Sequence, residues 1–132
     1  MNHSTSRTAV AAMALGLVAT ATATPALASG GGDEVRTSGH CSGNSTWKLK
    51  AKPDNGRLEV EGEVDSNVVG QTWTWRILHN GDVSARGTAT TTAPSGSFEV
   101  HRRLVNAAGV DGVGWRAHNA ATGESCRGGL RI

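Results

Sequence analysis

Residues 71–77, with the sequence QTWTWRI, place two tryptophans two positions apart and decide how the surrounding chain folds. Side chains two positions apart on a β-strand point to the same side of the sheet. Trp73 and Trp75 therefore share one face, and Arg76 lies on the other. Burying Arg76 without a partner would cost several kcal/mol, so we predict that both tryptophans face the core. The alternative is an exposed aromatic platform on which sugar rings stack.

The same alternation of apolar and polar residues recurs in short runs on both sides of this stretch. Trp47 and Trp115 each occupy the apolar row of another run. Turn signals separate the runs, among them the Asn-Gly pairs at 55–56 and 80–81, which favour two-residue hairpins. Seven such runs without a helical stretch predict an all-β protein, a single seven-stranded immunoglobulin-like β-sandwich. A small β-barrel is the alternative.

The N-terminal 28 residues have the order of a secretory signal peptide. A single cation, Arg7, precedes an apolar run at 9–19 and a closing Ala-Leu-Ala. We predict cleavage between Ala28 and Ser29 and a secreted, extracellular protein that is free of the membrane afterwards. The glycine-rich residues 29–40 are expected to form a flexible N-terminal arm, and residues 41–132 the β-sandwich domain.

The two cysteines, Cys41 and Cys126, predict one disulfide bond. An even cysteine count in an exported chain favours this pairing, and neither residue has the C-x-x-C spacing or clustered histidines of a metal or redox site.

The charge is nearly balanced, with 13 Lys and Arg against 11 Asp and Glu. The basic footprint of a nucleic-acid-binding protein is missing, so we expect no nucleic acid partner.

One row of carboxylates stands out, formed by Glu59, Glu61, Glu63 and Asp65 on alternate positions. We interpret it as a solvated strand face that pairs with Lys48 and neighbouring lysines if the first two runs form a hairpin. A cation site is the alternative, because carboxylates at this spacing lie roughly 7 Å apart on a strand.

Catalytic signatures are missing from the sequence. There is no G-x-S-x-G elbow and no glycine-rich loop in a strand–loop–helix context. His101 and His118 are candidate bases only by residue type. We therefore predict that the protein is not an enzyme and that it has no catalytic residues, cofactor or metal.

Apolar residues outside the alternation raise a separate possibility. Val68, Val69 and Val110 stand in predicted loops, where they either plug the ends of the sandwich, which we favour, or contact a partner. The leading hypothesis is a secreted, non-enzymatic binding module for an extracellular protein, acting through loops, an edge strand or the N-terminal arm. The alternatives are an extracellular carbohydrate- or cell-wall-binding module and a small secreted protease inhibitor that presents the loop at 92–97.

Two long segments carry a family resemblance. Residues 41–81, CSGNSTWKLKAKPDNGRLEVEGEVDSNVVGQTWTWRILHNG, and residues 119–132, NAATGESCRGGLRI, resemble a group of uncharacterised small secreted proteins of actinobacteria. The resemblance covers residues 41–132. It implies an immunoglobulin-like β-sandwich and an extracytoplasmic location, and it implies no activity and no functional residues.

Overall fold

The computed structural model describes residues 33–132, which form eight β-strands and no helix. The strands are β1 (Val35–His40), β2 (Thr46–Asp54), β3 (Arg57–Asp65), β4 (Thr72–His79), β5 (Asp82–Thr90), β6 (Ser97–Val105), β7 (Gly112–His118) and β8 (Ser125–Arg131). All neighbouring strands pair antiparallel. The predicted signal segment and its cleavage point between Ala28 and Ser29 lie outside the described residues.

The strands form two four-stranded sheets. Sheet A has the order β1-β2-β3-β6, and sheet B has the order β5-β4-β7-β8. The β-sandwich prediction is confirmed, because over the described residues the two sheets stay separate instead of closing into a barrel. The seven predicted strands are β2 to β8. Their order corresponds to strands A-B-E and C′-C-F-G of an immunoglobulin-like sandwich.

The predicted flexible arm is partly wrong, because its last six residues form the eighth strand, β1. All six pair with the first six residues of β2, from Val35 opposite Ala51 to His40 opposite Thr46. The glycine-rich composition hides this strand in the sequence, yet Val35 packs against the core. Backbone pairing to the free edge of β2 needs few apolar side chains. Of the predicted arm, only residues 33 and 34 are described outside this strand.

Both Asn-Gly turns form as predicted. Asn55 and Gly56 join β2 to β3, with φ of 49° and 77°. Asn80 and Gly81 join β4 to β5, with φ of 49° and 90°. Positive φ at both central positions is the requirement of the tight hairpin turn whose twist matches the strands.

All four tryptophans are buried between the sheets, so the core interpretation is confirmed. Trp73 and Trp115 have no exposed surface, and Trp47 and Trp75 keep less than a tenth. Trp75 and Trp115 stack with ring centroids 6.2 Å apart, and Phe98 approaches Trp115 at 6.3 Å. The chain's aromatic side chains therefore stabilise the interior, and among the described residues none lies open to a ligand.

Glycines lie where three of these indoles approach a neighbouring strand. A Cβ at Gly62 would overlap the ring of Trp115, which belongs to the opposite sheet. A Cβ at Gly87 would lie 2.8 Å from Trp75, and Gly128 makes the same room for Trp47. A glycine within a strand often marks a bulge, but the pairing of β3 with its neighbours is unbroken through Gly62. Gly62 therefore allows the two sheets to pack closely against each other.

The predicted disulfide is present between Cys41 and Cys126, which are 85 residues apart in the chain. Cys41 follows β1 in sheet A and Cys126 lies in β8 of sheet B, so the bond ties the two sheets together at one side. Closing a loop of this length stabilises the fold by about 4 kcal/mol in the chain-entropy description.

Among residues 33–132, no helix could cross a membrane.

Replacing Gly62 by Ala should lower the free energy of unfolding by about 1–3 kcal/mol in urea denaturation, because the added methyl group must displace the Trp115 indole. Gly112→Ala is the matched control, since its new Cβ would meet only the Asn80 side chain at 3.8 Å. The control should change the free energy by less than about 0.5 kcal/mol. Equal losses in both variants would refute a packing role for Gly62.

Candidate anion-binding face

The outer face of sheet B follows from the burial of the tryptophans. Because Trp73, Trp75 and Ile77 point inward from β4, Thr74 and Arg76 point to solvent. The same alternation places Arg116 and His118 of β7 on this outer face, beside Arg127 of β8. The outward residues of three separate strands thus meet on one surface.

Strand register aligns four arginines across the whole sheet. Arg76 lies opposite Arg86 on one side and opposite Arg116 on the other, and Arg116 lies opposite Arg127. Neighbouring strands are about 4.8 Å apart, so the four residues form a row about 14 Å long that runs perpendicular to the strands. We call the residues Arg86, Arg76, Arg116 and Arg127 the arginine row.

A second row of polar side chains runs parallel to the first. Thr74 lies opposite Thr88 and His118, and His118 lies opposite Ser125. The two rows are separated by two positions along each strand, or roughly 7 Å. We call Thr88, Thr74, His118 and Ser125 the hydroxyl row, after three of its four members. Both rows line one shallow depression with a volume of about 730 Å³.

The arginine row has no acidic partner. Within residues 33–132, none of its four guanidinium groups forms an ion pair, and residues 1–32 contain no Asp or Glu. The strands of sheet B carry a single carboxylate, Asp82, at the start of β5. Glu124, in the β7–β8 turn, is engaged elsewhere, because the Ser45 hydroxyl donates to it at 2.6 Å. The face therefore holds unbalanced positive charge.

Arg116 is the most firmly held member of the arginine row. Its Nη1 donates to the carbonyl oxygens of Trp115 at 2.8 Å and Gly128 at 3.1 Å. Burial lowers the pKa of the Arg116 guanidinium, and the positive charges of Arg127 and Arg76 lower it further. A bound anion would relieve this repulsion and accept hydrogen bonds from a guanidinium whose position is already fixed.

The outer face of sheet A has the opposite arrangement, with its charges paired. Lys50 lies 2.7 Å from Glu61, and Lys52–Glu59 and Lys48–Glu63 form ion pairs at 3.6 and 3.9 Å. The prediction that this carboxylate row pairs with lysines across a hairpin is confirmed. Cross-strand pairs of this kind leave little net charge for a ligand.

One cluster on sheet A brings together possible metal ligands, namely Glu61, Glu99 and His101, with ligand atoms within 4.8 Å of one another. Burial and the neighbouring Glu61 carboxylate raise the pKa of Glu99. Burial acts the same way on Glu61, but hydrogen bonds from Lys50 and Glu99 outweigh it and leave the pKa of Glu61 below its ordinary value. Lys50 and His101 thus already contact the carboxylates that a cation would need.

Two contacts resemble parts of a catalytic triad, namely a serine–histidine pair and a histidine–aspartate pair. His118 Nδ1 and Ser125 Oγ are 2.9 Å apart on the exposed face of sheet B. His79 Nε2 and Asp111 Oδ1 are 2.6 Å apart, and Asp111 is buried. His79 ends β4 and Asp111 directly precedes β7, whereas His118 is the last residue of β7. The two pairs therefore lie at opposite ends of these strands and do not combine into a triad.

The predicted partner contacts Val68, Val69 and Val110 are exposed by 49%, 55% and 60%. Our preferred interpretation, that these residues plug the ends of the sandwich, is therefore wrong. The valines also fail to form one patch. Val68 and Val69 lie in the β3–β4 loop and Val110 in the β6–β7 loop, which are at opposite ends of the nine-residue strand β3.

Comparison with protein-family models, with curated proteins and with solved structures finds no match to this chain. The assignment of a site therefore depends on the geometry and charge of the molecule itself.

Replacing Arg76 by Gln should raise the melting temperature at low ionic strength, because it removes repulsion from Arg86 and Arg116. The gain should shrink as salt is added, since screening shortens the range of the repulsion from about 30 Å at 0.01 M to about 8 Å at 0.15 M. Arg103→Gln is the control, because Arg103 is paired with Asp54 at 3.2 Å and its loss should not stabilise the fold. A salt-independent decrease for Arg76→Gln would show that the row carries no electrostatic strain.

Proposed function

We propose that this protein is a secreted, non-enzymatic binding module that holds an anionic ligand on the outer face of sheet B. The observation that carries the proposal is the arginine row, four guanidinium groups in register without a carboxylate partner. Guanidinium groups bind carboxylate, sulfate and phosphate through paired hydrogen bonds. Repulsion among the four arginines lowers the stability of the fold, and a bound anion would offset that repulsion.

Secretion is supported by two observations that agree. The first 28 residues have the order of a signal peptide, and Cys41 and Cys126 form a disulfide, as is typical of an oxidising compartment. A module exported in this way would meet its ligand outside the cell. Its ligand would be held by charge and hydrogen bonds, because the tryptophans are buried.

The geometry of the site supports a role in binding without catalysis. The His118–Ser125 pair lies next to the arginine row, but in the described residues no carboxylate contacts His118 to orient it as a base. Catalytic serine–histidine pairs depend on such a third group. The pair is better suited to donating and accepting hydrogen bonds with a ligand.

The other functions considered from the sequence receive less support. The valines considered as possible contacts for a protein partner lie at opposite ends of the molecule. The loop at 92–97, considered for protease inhibition, is closed on itself by hydrogen bonds from Thr92 N to Ser97 O and from Gly96 N to Thr92 O, both 2.9 Å. An inhibitory loop needs an extended segment that a protease can align with its own strand.

The test is binding to sulfated dextran, a soluble polyanion, measured by calorimetry at several salt concentrations. Wild-type protein should bind, and the double variant Arg76→Gln/Arg86→Gln should bind at least tenfold more weakly, because each lost charge-assisted hydrogen bond costs about 1.5–3 kcal/mol. Both residues are exposed, so folding should persist.

Arg36→Gln/Arg103→Gln is the matched control, since it removes the same charge from sheet A, where both arginines are paired with acids. It should bind nearly as well as wild type. Equal weakening of both double variants would mean that only net charge matters, and no binding by wild type would reject the proposed function.

A further inference from the structure

We infer that the ligand of the arginine row is an extended acidic polysaccharide with about one anionic group per sugar, lying across the strands of sheet B. This inference rests on the proposed function and specifies its ligand. It depends on the spacing of the two rows, on the polar groups they present and on the burial of the aromatic side chains.

The spacing along the arginine row suits a polymer of sugars. Successive guanidinium groups stand on successive strands, about 4.8 Å apart, and an extended pyranose chain advances by a similar distance per residue. A chain laid perpendicular to the strands would therefore place one sugar at each strand, with the acidic groups of alternate sugars turned toward the arginine row, and four sugars would cover the row.

The spacing between the rows suits the width of a sugar ring. In an acidic sugar the anionic group stands on one edge of the ring and the free hydroxyls on the other. In each sugar whose anion lies on the arginine row, those hydroxyls would reach the hydroxyl row, roughly 7 Å away along the strands. Thr74, His118 and Ser125 offer donors and acceptors there, and Ser125 Oγ and His118 Nδ1 already share a hydrogen bond.

Nucleic acid fits this face poorly. Single strands are held by stacking bases on exposed aromatic side chains, and here all four tryptophans and Phe98 are buried. Reading duplex DNA requires a helix or ribbon that enters a groove, whereas the two rows lie on the broad face of a four-stranded sheet. A chain of phosphates alone would satisfy the arginine row and leave the hydroxyl row unused.

The test uses oligogalacturonides of one to eight sugars as probes, with calorimetry as the readout. Affinity should rise with length up to about four sugars, the number that covers the four strands, and then level off. Neutral oligosaccharides of the same length should not bind. The double variant Thr74→Val/Ser125→Ala should weaken oligogalacturonide binding severalfold and leave binding of inorganic polyphosphate unchanged.

Three outcomes would overturn the inference. In the first, the Thr74→Val/Ser125→Ala variant binds the oligogalacturonides as wild type does. In the second, the affinity for the oligogalacturonides does not depend on chain length. In the third, polyphosphate or duplex DNA binds more tightly than any oligogalacturonide. If polyphosphate binds and depends on Arg76 and Arg86 but the oligogalacturonides do not bind, the proposed function survives while the polysaccharide is rejected. If none of these polyanions binds, both are rejected.

Discussion

The packing of indole rings between the two sheets is the constraint on which the rest of the structure depends. Trp75 and Trp115 stack across neighbouring strands of sheet B, and Trp115 reaches the backbone of sheet A at Gly62. This arrangement leaves each strand of sheet B only one orientation. Turning β4 over would expose two tryptophans and bury Arg76 in an apolar interior, at a cost that the small domain could not bear. The position of the arginine row is therefore a consequence of the core.

The two outer faces use charge in different ways. On sheet A, lysines face glutamates across β2 and β3, so the charges neutralise one another and stabilise a solvated surface. On sheet B the charged residues at the centre are all arginines, and their neighbours in register are arginines as well. A net charge of only +2 conceals this separation. The charge of one face matters more to a ligand than the net charge of the chain, because a ligand contacts one face at a time.

The alternation around Trp73 and Trp75 was sufficient to predict the sandwich, seven of its strands, the buried tryptophans and the outward direction of Arg76. The arginine row could not be predicted in the same way. It depends on which strands are neighbours and on their register, and β7 pairs with β4 across two intervening strands of the chain. Strand β1 was missed because Val35 is its only large apolar residue and it joins the sheet mainly by backbone pairing. A signal was available, since arginine occupies the outward row of four strands while every lysine lies on β2.

Anion binding through the arginine row on the outer face of sheet B is the proposal that most needs a test. The most direct measurement is a titration with tetragalacturonate followed by NMR of the arginine side-chain Nε–Hε signals. If the row binds the anion, the signals of Arg76, Arg86, Arg116 and Arg127 should shift together with one dissociation constant, while those of Arg36 and Arg103 stay in place. Unchanged signals across the row, or shifts confined to sheet A, would contradict it.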